Sequence, residues 1–222
     1  MRVIRLTLVT SLVLTTAAFA EDEVCGLCPK EKADGFVRLF DGKTLDGWVG
    51  AVNGYEAKDG KIVIKQKGGG NLFTKDEYAD FIFRFEFKLP PGGNNGIGIR
   101  SPLQGNPAYA AMEIQVIDNS APKFANLKDW QFHGSIYGVV PAKRGFQKPV
   151  GEWNCEEIKA VGSKITVTLN GEVIVDADLK DIEPIDGHQH PGLHNEKGHI
   201  GFLGHGAGVE FRNIRIKPLT EE

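Results

Sequence analysis

The 222-residue sequence predicts an all-β fold, a sandwich or jelly roll of two antiparallel sheets. Three observations carry that prediction. Short apolar segments with period-two alternation recur along the chain, clusters of Gly, Asn, Asp and Pro separate them, and no stretch has the periodicity of a long amphipathic helix. No internal repeat at propeller spacing competes with this reading.

In residues 1–20, Arg2 and Arg5 precede an apolar run that ends in Ala18-Phe19-Ala20, the pattern of a signal peptide with a small-x-small cleavage site. The expected product is exported, periplasmic or secreted, with no membrane insertion, because the run is short for a bilayer span. Removing it leaves 24 Lys plus Arg against 29 Asp plus Glu. That acidic balance excludes nucleic acid and anionic membrane surfaces as natural partners. Residues 21–35 read as an extended lead-in and residues 36–218 as a single domain, since no Ser/Pro-rich linker divides them. Cys25-x-x-Cys28 suggests a disulfide in an exported chain, and Cys155 a small buried hydrophobe.

Residues 36–40 form a short apolar strand closed by Asp41-Gly42, and a second turn at Asp46-Gly47 leads into Trp48, a core residue or a sugar platform. After a strand at 61–66, Gly68-Gly69-Gly70 breaks the chain without the Lys-Ser/Thr of a phosphate loop. In 81–89, Phe81, Phe83, Phe85, Phe87 and Leu89 alternate with polar residues, so one face of that strand is dry. In 94–100, Gly96, Gly98 and Arg100 share a face opposite Ile97 and Ile99. Glycines there permit close approach of a ligand with Arg100 above it, or Arg100 belongs to a buried structural ion pair.

Residues 110–118 are the centre of the chemistry. Alternation sends Glu113 and Gln115 to one face and Ile114 and Val116 to the other, and one extra residue after Gln115 brings Asp118 round to join them. With no Lys or Arg in the segment, this row makes either a polar groove or a solvated outer face. A short strand at 133–138 follows, and then strands at 153–161, 164–169 and 172–177, joined by Gly162-Ser163 and Asn170-Gly171 as two-residue hairpins. Residues 186–197 are a polar loop in which His188, His190 and His194 could ligate zinc if it curled suitably, but Pro and Gly leave that spacing unfixed. No cofactor and no metal ligand set is therefore assigned, and nothing specifies an oligomeric state. A final strand at 209–217 ends the fold.

Several spaced motifs resemble one family. They are Leu39-Phe40-Asp41-Gly42-Lys43-Thr44-Leu45-Asp46-Gly47-Trp48, Asn95-Gly96-Ile97-Gly98-Ile99-Arg100, Met112-Glu113-Ile114-Gln115-Val116-Ile117-Asp118, Gly134-Ser135-Ile136-Tyr137-Gly138, Gly151-Glu152-Trp153-Asn154 and Phe211-Arg212-Asn213-Ile214. On these the chain is identified as a member of the 3-keto-disaccharide hydrolase domain family. The resemblance implies a concanavalin A-like jelly roll with its site on the concave sheet, and a carbohydrate substrate, a 3-keto-glycoside. In that chemistry the C3 ketone acidifies the C2 proton, a base removes it, the C1 oxygen leaves, and hydration completes a net hydrolysis. Glu113 is then the candidate base, Asp118 its alternative or the acid, and Arg100 the group that polarises the ketone. Gln115 orients a hydroxyl, Asn95, His133 and Tyr137 contact substrate, Trp153 offers a stacking surface, and His205 is a further proton carrier. Glu113-x-Gln115-x-x-Asp118 is also similar to the carboxylate strand of retaining β-glucanases on the same architecture. A carbohydrate-binding module without catalysis is the reading from another class.

Overall fold

The computed structural model describes residues 28–206 and 208–219. The signal-like segment and Cys25 lie outside the described residues. Two antiparallel sheets stack face to face. One contains β1 (Val37–Arg38), β3 (Tyr55–Lys58), β4 (Lys61–Ile64), β6 (Asp80–Lys88), β9 (Trp153–Val161), β10 (Lys164–Leu169), β11 (Glu172–Asp178) and β13 (Glu210–Leu219). Its order is β11-β10-β9-β6-β13-β4-β3, with β1 also against β13. The other runs β2 (Trp48–Gly50), β5 (Gly70–Thr74), β12 (His199–Gly204), β7 (Asn94–Ser101), β8 (Met112–Ile117). The predicted sandwich is present, and among the described residues the α-helices are no more than single turns: α1 (Pro29–Ala33) and α2 (Pro107–Ala110).

The aromatic face of β6 lines the space between the sheets, where Phe81, Phe83, Phe85 and Phe87 are all essentially inaccessible. Phe85 meets Phe202 of the opposite sheet edge-on, and Phe202 stacks on Phe211 and on Trp48. Each such ring contributes about 2–3 kcal/mol through burial. Trp48 is therefore core. The hairpins fall at the expected turns: Val161 pairs with Lys164 and Leu169 with Glu172, and Asn170 and Gly171 both take positive φ, as a tight turn of this hand requires. Cys155 departs from expectation. It lies half-buried on the outward side of β9, because Asn154, Glu156 and Ile158 take the inward positions.

The lead-in is not wholly extended. Pro29 starts α1 with its φ preset, and Glu31 anchors the turn to the eight-stranded sheet. The Glu31 carboxylate accepts from Arg215 Nε at 3.0 Å and from Arg84 Nη1 at 2.8 Å. Desolvation opposes its ionisation, but these two guanidiniums outweigh it and hold the carboxyl below its usual range. Glu31→Ala is expected to cost about 2 kcal/mol, discounted because Arg84 remains partly in water, and to lower Tm by about 4–8 °C at pH 7. A depressed carboxyl stabilises fully above its unfolded pKa, and that contribution fades as pH falls through the folded value. Melts of both proteins at pH 7 and in acid check this: an equal gap at both would sink the ion-pair account.

Candidate active site

Glu113 sits on β8 beside β7, with Gly98 as its partner across the ladder and Gly96 opposite Gln115. The missing side chain at Gly96 makes room for the acid. A Cβ placed there would fall 2.0 Å from a Glu113 carboxylate oxygen. Leu203 fills the corresponding space over Gly98. The two glycines therefore admit neighbouring side chains, which corrects the expectation that they permit close approach of a ligand.

Glu113 is only 8 % exposed and, among the described residues, has no hydrogen bond or ion pair. Burial alone pushes its pKa up to about 7, because the charged form loses water and gains no compensating donor. Gln115, two residues on, accepts from the Val116 backbone N–H at 3.1 Å through its own Oε1, leaving its amide protons without a partner among the described residues.

The segment 133–138 completes the wall. It runs antiparallel beside β8: Gly134 N–H donates to Gln115 O, Gln115 N–H to Ser135 O and Tyr137 N–H to Glu113 O. The short strand expected there is thus a ribbon on the sheet's edge, with Ile136 bridging Ile114 in the core. That register puts Tyr137 next to Glu113 on the polar face. The Tyr137 hydroxyl accepts from Gln131 Nε2 at 3.3 Å, and half-buried Trp130 meets its ring edge-on at 4.9 Å.

A second wall comes from the loop after β11. Asp186 Oδ2 and His190 Nε2 are 3.0 Å apart, both side chains almost wholly buried. They occupy the space where Gly138 lacks a Cβ, 2.5 and 2.7 Å from the ideal position. Hydrogen bonds, including one from the His188 backbone N–H, outweigh desolvation and hold the Asp186 carboxyl below its usual range. Tyr109 on α2 lies against both His188 and His190, with ring centroids 5.3 and 4.9 Å away. Sequence reasoning missed Tyr109, Asp186, Trp130 and Gln131. The available signals were Tyr109 four positions before Glu113 and Asp186 four before His190, but neither lies on a regular element that would give such spacing a direction.

Several predicted site residues lie elsewhere. β8 pairs with β7 in unbroken register through Asn94–Ile117, so the bulge expected after Gln115 is absent and Asp118 passes to the strand end. Its carboxylate accepts from Gly92 N–H and from Ser120 N–H and Oγ–H. Those bonds overcome desolvation and hold its pKa down, so it is a turn cap and a poor acid. The bulge occurs on β7 instead, where two residues oppose Ile200 and Arg100 takes φ 51°. Arg100 leaves the polar face and donates to Ala79 O, Gly162 O, Asn195 O and Asp80 Oδ1, the structural ion pair of the two readings.

Asn95 is fully buried on the inward side of β7, its Oδ1 accepting from Gly96 and Leu203 N–H. His133 lies in the core, its ring 4.9 Å from Phe87 and its Nε2 3.1 Å from Glu156 of the other sheet. Trp153 is on the outer face of the eight-stranded sheet, with Arg212 at 4.1 Å and Lys88 at 5.0 Å over its ring. His205 is exposed just beyond β12. Strand spacings put it on the order of 15 Å from Glu113, too far to share two adjacent sugar carbons.

Among the described residues no three His, Cys, Asp or Glu converge as a metal site. His190 binds Asp186, His188 faces Tyr109 and His194 is exposed, and the three do not form the zinc arrangement. A cavity of about 670 Å³ opens at one end of the sandwich's strands, lined by Asp80, Arg100 and Asn195 among others. These groups are committed to one another, and the chemically free carboxyl lies outside that cavity.

The 3-keto-alpha-glucoside-1,2-lyase-like domain matches residues 35–217. A 3-keto-disaccharide hydrolase of Bacteroides thetaiotaomicron is 31 % identical, over 84 % of this chain and 79 % of that protein. A crystal structure of a candidate glycosyl hydrolase from Parabacteroides distasonis superposes with TM-score 0.76 at 26 % identity, covering 88 % of this chain and 99 % of that one. The VIP36 exoplasmic/lumenal domain, at 11 % identity and TM-score 0.51 over 85 % of this chain and 90 % of its own, shares the lectin-like fold. No helix among the described residues is long and apolar enough to cross a membrane. With the family's domain spanning the whole sandwich, the chain belongs to the 3-keto-alpha-glucoside-1,2-lyase-like family of carbohydrate-active proteins.

Proposed function

We propose that this protein cleaves 3-keto-glycosides by elimination across C1–C2 followed by hydration, with Glu113 as the base, and that it acts after export. The observation that carries the proposal is the solitary Glu113 carboxyl, whose pKa of about 7 suits proton transfer near neutral pH. A buried carboxylate without partners costs stability, and a proton-transfer role supplies a reason for tolerating it. Glu113 takes the C2 proton, the C1–O bond breaks, and the electrons from C2–H form the C1=C2 double bond. The free amide protons of Gln115 and the hydroxyl of Tyr137 are the donors nearest to hand for the ketone oxygen as it gains charge. Water then adds at C1 while protonated Glu113, whose acid proton exchanges with solvent, delivers a proton to C2, restoring the site. Direct retaining hydrolysis would use a second carboxyl as acid, and Asp118 is bound up as a turn cap with a depressed pKa.

The test is aglycone release from a 3-keto-glucoside and from the parent glucoside in D2O. Release from the keto sugar only, with deuterium at C2 of the product, is expected. Its kcat/KM should rise through about pH 7 as Glu113 ionises, since the basic form is the active one. Cleavage of the parent sugar without deuterium at C2 would overturn the elimination reading.

A further inference from the structure

Elimination of an alcohol needs a proton for the departing oxygen, and Glu113 cannot give one while it is taking another from C2. We propose that Tyr109 is that acid, donating its hydroxyl proton to the glycosidic oxygen as the C1–O bond breaks. This rests on the elimination reading above.

The placement of Tyr109 is built, not incidental. It sits on α2, the single turn immediately before β8, so that Tyr109 and Glu113 enter the site from one continuous segment. Asn106 caps that turn by accepting from Ala108 N–H. The loop after β11 clamps it from the other side. Asn195 Nδ2 donates to Ala110 O at 2.8 Å and to Arg100 O at 3.0 Å. Gly192 touches the Ala110–Ala111 peptide so closely that a Cβ would fall within 2.4 Å of backbone atoms. Arg100 Nη1 in turn donates to Asn195 O, so the residue expected to polarise the ketone instead anchors the clamp.

Between these elements the Tyr109 ring packs against His188 and against His190, itself held by Asp186. Its hydroxyl has no hydrogen bond among the described residues, and the side chain is half-buried, open enough to meet a ligand. Tyr137 has a different place, because its hydroxyl accepts from Gln131 and its proton is the one already directed to the ketone oxygen. Desolvation, together with the nearby Tyr137, Asp186 and Glu113, raises the Tyr109 pKa. A phenol so placed stays protonated under conditions where Glu113 is ionised, which is the separation an acid and base pair needs.

The proton balance closes. Glu113 gains the C2 proton and Tyr109 loses its own to the alcohol. The Tyr109 phenolate then takes a proton from the water that adds to C1, and Glu113, its acid proton having exchanged with solvent, gives a proton to C2. Keto-glycoside plus water gives keto-sugar plus alcohol, with both side chains as they began.

The experiment compares methyl and 4-nitrophenyl 3-keto-glucosides with wild type, Tyr109→Phe and Tyr137→Phe, following alcohol release and C2 exchange in D2O. Methoxide is a poor leaving group that requires the acid, whereas 4-nitrophenolate departs without one. Tyr109→Phe is expected to lose about 100-fold in kcat/KM on the methyl glycoside and less than about 3-fold on the nitrophenyl one. Deuterium should still enter C2 of the uncleaved methyl glycoside, because Glu113 continues to remove that proton. Equal losses on both substrates, no loss on either, or the selective loss appearing in Tyr137→Phe would each overturn the assignment. Wild type that shows no C2 exchange instead refutes the elimination reading itself, so the two failures are distinct.

Discussion

Glu113→Gln is expected to abolish cleavage of the keto sugar while making the folded protein more stable above neutral pH. The amide has the size of the acid and cannot accept the C2 proton, so the loss should be at least about 100-fold in kcat. The stability effect follows from the same burial. The carboxyl moves from its ordinary value of 4.5 to about 7 on folding, so between those values the folded chain binds the proton that the unfolded chain has released. Stability therefore falls as pH rises across that window and levels off above it, by about 3 kcal/mol in all. Glutamine has no charged form to bury. At pH 8 the variant should melt several degrees above wild type, and near pH 5 the two should nearly coincide. A variant that is destabilised at pH 8 would show that Glu113 has a stabilising partner the geometry does not contain.

Arg100→Ala should do the reverse, removing stability rather than chemistry. Arg100 is 4 % exposed and donates to three backbone carbonyls and to Asp80. Truncation takes the guanidinium from three backbone carbonyls and leaves Asp80 with the Gly162 N–H but without its counter-charge. The expected cost is about 3–5 kcal/mol, a fall in Tm on the order of 10 °C. Arg100→Lys keeps one charge but lacks the planar fork that reaches several acceptors at once, so it should rescue only part of the loss. If Arg100 acted on the ketone, either variant would fold normally and lose kcat. Thermal melts beside kinetics on the folded fraction separate the two outcomes.

The framework was largely legible. The alternation of Phe81 through Leu89 gave a strand and its buried face, and Gly162-Ser163 and Asn170-Gly171 gave two hairpins, because both signals are local. The direction of Glu113 and Gln115 was legible for the same reason. What failed depended on distant partners. Alternation does not say which strand carries a bulge, and here it lies on β7 at Arg100 rather than on β8 before Asp118. Polar residues in strands looked like site residues, yet His133 meets Glu156 inside the core and Trp153 is covered by Arg212 on the outer face. Tyr109, Asp186 and His190 meet only because two irregular segments close on each other, and no periodicity announces such a meeting.

The ribbon along β8 has a consequence for how such a protein can diverge. Because residues 133–137 bond one flank of that strand and β7 the other, the Glu113 carboxyl is borne by an interior element rather than by a fraying margin. The groups around it come from connecting segments, Trp130 and Gln131 from one and the Asp186–His190 loop from another. Substitutions and length changes in those connections can reshape what the leaving alcohol meets without moving the carboxyl. On the proposed mechanism, one fixed proton acceptor would then serve a lineage of substrates, with selectivity inherited through the rim and reactivity through the sheet.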